Sequence, residues 1–79
     1  MRYIITFYAH IGAVRYKKMC QSQGINARIM PVPRELSSSC GSCVCTEDGY
    51  VEPTQRVAEE VEQIVKITDT GYSVILDLR

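Results

Sequence analysis

Hydrophobic and polar positions change period several times along this chain, and each change marks an element. Residues 2–8 set Tyr3, Ile5 and Phe7 against Ile4, Thr6 and Tyr8, the alternation of a strand with two fairly apolar faces, as suits the middle of a sheet. Over residues 10–23 the spacing turns helical, with Ala13, Tyr16, Met19 and Cys20 on one side and Arg15, Lys18 and Gln21 on others. Gly24 is placed to end that helix. Residues 25–32 alternate loosely as a second strand, and Pro31 and Pro33 assign it to an edge, because proline donates nothing to a central ladder. Ser42–Glu47 reads as a third strand, closed by the turn signal Asp48-Gly49, with Cys43 and Cys45 on one face and Val44 on the other. Pro53 suits the first turn of a second helix, in which Thr54, Val57, Ala58, Val61, Ile64 and Val65 form the apolar stripe and Glu59, Glu60 and Glu62 the solvated side. After a turn around Asp69 and Gly71, Tyr72, Val74, Leu76 and Leu78 alternate with Ser73, Ile75 and Asp77 in a last strand.

The order strand, helix, strand, strand, helix, strand predicts an α+β domain of the ferredoxin-like split βαβ type (βαββαβ). Two helices then cover one face of a four-stranded antiparallel sheet. That scaffold hosts many functions and implies no iron–sulfur cluster. Residues 1–79 make a single domain with no internal repeat or linker. The first strand's second apolar face suggests a sheet surface that a partner copy would cover, as in a homodimer.

Composition narrows the classes of partner. The chain is 46% hydrophobic and 23% charged, the mixture of an ordinary globular domain. Nine basic and nine acidic residues cancel without long blocks of either sign, so nucleic acid and anionic membranes are set aside as partners. The opening apolar run is short and broken by Thr6 and His10, which fits neither a signal segment nor a membrane span; the expected location is the cytoplasm. There, four cysteines are expected to be reduced, metal-bound or catalytic rather than locked in structural disulfides.

The chemistry concentrates in residues 31–45, which hold three of the four cysteines. Cys40 follows three serines and precedes Gly41, so its thiol is unencumbered. A thiolate is favoured by cations and by oriented backbone amides; Arg34 is a local cation, and Gly41, free to take positive φ, lets successive amides turn toward one anionic atom. The plainer alternative is a polar turn whose cysteine fills space. Cys20 is read as a packed thiol in the core. His10, the lone histidine, reads as an exposed residue of the helix cap, the alternative being a base beside a reactive cysteine.

The stretch Pro31-Val32-Pro33-Arg34-Glu35-Leu36-Ser37-Ser38-Ser39-Cys40-Gly41 resembles the signature of the selenium/sulfur carrier protein-like family. The likeness extends to the opening strand, the helix bearing Met19-Cys20, and Gly24-Ile25. It implies that Cys40 holds sulfane sulfur or selenium for other proteins, received from a donor enzyme such as a cysteine desulfurase and passed to an acceptor protein. A carrier of this kind needs no cofactor and no complete catalytic constellation, so the chain reads as an accessory protein rather than an enzyme. Where such domains continue with apolar and basic residues, this chain has Cys43 and Cys45. Cys43 is then a candidate resolving thiol. Two other readings stand beside the carrier: a metal module in which Cys40, Cys43 and Cys45 bind zinc or another thiophilic metal centre, copper(I) or an iron–sulfur cluster, and a redox switch pairing Cys40 with Cys43.

Overall fold

A computed structural model describes residues 1–36 and 38–79, the side chain of Gln55 excepted. Ser37, one of the three serines before Cys40, lies outside the described residues. The elements are β1 (Arg2–Phe7), α1 (His10–Ser22), β2 (Ala27–Pro31), β3 (Ser42–Glu47), α2 (Gln55–Glu60), β4 (Val61–Thr68) and β5 (Gly71–Asp77). Together they form an α+β structure with one antiparallel sheet in the order β2-β3-β1-β4-β5. The apolar β1 is central, and the proline-bearing β2 is at an edge, as its sequence predicts.

Two expectations are corrected. The sheet has five described strands rather than four, and the second helix stops at Glu60 instead of running through Val65. The cause is a β-bulge: Thr6 pairs with Gln63 while Phe7 pairs with Val61, leaving Glu62 as the extra residue. The bulge turns Val61 and Ile64 to the same side of the sheet, where both join the core. Apolar residues three apart then imitate a helical stripe. The β-branched run of Val61, Ile64, Val65, Ile67 and Thr68 favours the strand. Pro53 accordingly precedes Thr54, the N-cap of a short helix.

The core lies between the helices and one sheet face. Ile5, Phe7, Val44, Val61 and Ile64 from the sheet meet Ala13, Tyr16 and Cys20 from α1, and Val57 of α2 packs against them. Buried Tyr16 ties α1 to the irregular segment before α2, its hydroxyl donating to the Val51 carbonyl at 2.5 Å and accepting the Val51 amide at 3.1 Å. Burial, with Cys20 alongside, raises the phenol's pKa well above its ordinary value. At Gly12 a Cβ would lie 2.9 Å from Glu60 Cβ and 3.2 Å from the Phe7 ring, so only glycine lets α1 approach this closely. On the other sheet face, Cys43 and Cys45 lie with Ile4, Thr6, Gln63 and Val65, all buried, while Tyr72 and Val74 of β5 remain exposed. Among the described residues, no helix is long and apolar enough to cross a membrane.

Candidate thiol site

The site is built from the backbone outward. Gly41 takes φ +73°, the left-handed conformation expected of it, and this turn brings the Ser42 amide back onto the preceding residue's sulfur. The Ser42 N–H donates to Cys40 Sγ at 3.4 Å, and the thiol can donate to the Ser42 carbonyl at 3.3 Å. One residue thus offers the sulfur both an acceptor, its carbonyl, and a donor, its amide. Cys40 is half-buried against the core, and Ser38 Oγ lies 4.0 Å from its sulfur.

The approach to Cys40 is held by three further contacts. Val32 N–H donates to the Gly41 carbonyl at 3.1 Å, closing the loop's base. Ser38 Oγ donates to the Phe7 carbonyl at 3.0 Å, tying it to the end of β1. Ser39 donates twice to Glu62, from its amide at 3.2 Å and its hydroxyl at 2.7 Å. Glu62, read from the sequence as solvated, is only 4% exposed: the bulge removes it from the ordinary alternation and points its carboxylate at the loop. The sequence signals for this partnership were a run of serines and an unremarkable glutamate, with nothing to join them.

Ser38, Ser39, Glu62 and Arg79 line a cleft of about 250 Å³. Arg79 forks onto Asp77 with two 3.1 Å side-chain hydrogen bonds, which hold that carboxyl below its usual range. His10 opens α1, exposed, with Nδ1 3.4 Å from Ser42 Oγ; it stands beside the site without contacting the sulfur by a hydrogen bond.

The structure separates the remaining candidates. Arg34 is exposed in a turn closed by the Leu36 N–H to Pro33 carbonyl bond, and among the described residues the sulfur of Cys40 has hydrogen-bond partners only in Ser38 and Ser42. Cys43 faces away from the helices and makes a long 3.8 Å contact to the Pro31 carbonyl. Burial, then the neighbouring Cys45 and Cys40, pushes its pKa up to about 11. Cys45 shares that face, and Cys20 is buried in the core, where burial raises its pKa. Among the described residues, no three His, Cys, Asp or Glu side chains converge where a metal ion could sit.

These features define a small α+β domain that presents one half-buried thiol on a pinned loop. The family described as "Putative Se/S carrier protein-like" matches residues 2–69, and the chain belongs to it. The Escherichia coli (strain K12) protein "Uncharacterized protein YtiA" is 29% identical over 42 residues. The match takes in 53% of this chain and 49% of the relative, so the chain spans about half the length of the curated relative it matches. No solved structure matches. β5 lies beyond the residues that the family covers.

Proposed function

We propose that this protein carries sulfane sulfur or selenium on Cys40 between partner proteins in a reducing cytoplasm. The observation that carries the reading is the seat of the sulfur: half-exposed, with the Ser42 amide 3.4 Å away and ready to favour an anion. In loading, the Cys40 thiolate attacks the outer sulfur of a persulfide on a donor such as a cysteine desulfurase. The donor's S–S bond breaks as the Cys40 S–S bond forms, and the donor departs as a thiolate; no external oxidant or reductant is consumed. Delivery repeats the step, with an acceptor nucleophile taking the outer sulfur and Cys40 leaving as thiolate. Release by Cys43 would require a rearrangement, because that thiol faces the other side of the sheet and resists ionisation. The same separation weighs against metal binding by the three loop and strand cysteines and against a Cys40–Cys43 switch. For the scaffold, we read β1 through β4 as a ferredoxin-like unit with β5 appended, since the strand order β2-β3-β1-β4 follows that arrangement.

The test is loading from a persulfide donor, read by intact mass. The parent gains one sulfur, Cys40→Ser gains none, and Cys43→Ser and Cys45→Ser load as the parent does. Loading that survives in Cys40→Ser overturns the reading.

A further inference from the structure

We propose that Glu62 is the positioning residue of the Cys40 site: its carboxylate, aimed by the β4 bulge, fixes Ser39 and so holds the next residue's sulfur under the Ser42 amide.

Three observations converge on this role. Glu62 is 4% exposed, and a buried carboxylate is costly unless donors meet it. Its donors are the amide and hydroxyl of one residue, Ser39, at 3.2 and 2.7 Å, and that residue is bonded directly to Cys40. Its aim depends on the bulge between Thr6 and Phe7; without that extra residue the side chain would follow the plain alternation of the strand. Electrostatics alone would not favour this residue here, since a negative charge near a sulfur that works as an anion opposes that anion. What the carboxylate supplies is geometry, through two charge-assisted bonds to a single residue. The other titratable or charged groups of the site are His10 at the head of α1, Cys43 on β3 and Arg79, which shares the cleft with Glu62, with Arg34 and Glu35 exposed in the loop before Cys40. The proposal deepens the carrier reading, and its test requires no cargo.

The experiment is alkylation of Cys40 by iodoacetamide in the full chain, followed by peptide mass spectrometry across about pH 6 to 10. Positioning and charge predict opposite signs. If Glu62 positions the sulfur, Glu62→Ala raises the midpoint for Cys40 reactivity and slows the reaction about threefold or more at neutral pH, even though a negative charge has been removed. Glu62→Gln, which keeps an acceptor for Ser39, has a midpoint at or below that of the parent. A midpoint in Glu62→Ala that stays put or falls overturns the proposal. Ser39→Ala loses only the hydroxyl bond and provides the same test should Glu62→Ala fail to fold: a smaller rise supports the proposal, and no rise overturns it. Failure of sulfur loading would leave these midpoints unaffected, so the two readings fail separately.

Discussion

Cys40 lies in the loop before β3, half-buried, its sulfur within reach of a backbone amide and a hydroxyl. Cys43, three residues on, is sealed in the sheet, with a carbonyl 3.8 Å away as its partner and a pKa of about 11. Both are thiols in one short segment. The difference arises from the backbone: a left-handed glycine turns an amide onto the first sulfur, while the pleat of β3 carries the second into a buried face, where its hydrogen-bond partner is the Pro31 carbonyl. The surroundings of each sulfur are set by backbone conformation more than by sequence neighbourhood.

The comparison breaks most readily by direct labelling. At about pH 7.5 a thiol of pKa about 11 is ionised on the order of once in a few thousand molecules, and Cys43 is also shielded. Native iodoacetamide labelling followed by peptide mapping should therefore modify Cys40 at least ~100-fold faster than Cys43, and denaturant should bring the two rates together. Comparable native rates would remove the distinction.

A smaller effect tests the turn itself. Gly41 has open space where a Cβ would sit, so Gly41→Ala carries only the conformational penalty of its φ of +73°, about 1–2 kcal/mol in denaturant melts. Cys40 labelling should slow in the same variant, and Gly41→Asn should recover part of both, because asparagine visits this region more readily. A stable variant with unaltered labelling would show that the turn does not set the sulfur.

The last effect concerns pH. With a folded pKa raised from 9.0 to about 11, Cys43 contributes stability that is fully present below pH 9 and is lost as pH rises toward 11, because the unfolded chain releases its proton first. Thermal stability should fall through this window, and Cys43→Ala should flatten the decline. Some slope should persist, since burial also raises Cys20 and Tyr16. An identical slope in Cys43→Ala would contradict the sealed environment assigned to that thiol.

Much of the frame was legible because its signals are local. Alternation located β1 and β3 and set Val44 against the two strand cysteines, the proline pair marked β2 as an edge, and the turn at Gly41 followed from its lack of a side chain. β4 was not legible: its bulge breaks the two-residue period and leaves Val61 and Ile64 three apart on one side, the spacing expected of a helix. The same bulge concealed Glu62, whose burial depends on a loop more than twenty residues earlier in the chain. Arg34 is close to Cys40 in sequence, yet among the described residues the hydrogen-bond partners of the sulfur are Ser38 and Ser42.

The central place of β1 has a kinetic consequence. Its two neighbours, β3 and β4, begin at residues 42 and 61, so β1 has no partner until the chain has passed through α1 and β2 and reached β3. Every ladder through the middle of the sheet closes a long loop, and proteins dominated by such pairings fold on the order of milliseconds or longer, not microseconds. Until then β1 is an apolar segment with two unpaired edges. On the ribosome, β1 gains its second neighbour only as β4 emerges, with β5 still to add the outer edge, and the buried setting of Glu62 is made in the same late step.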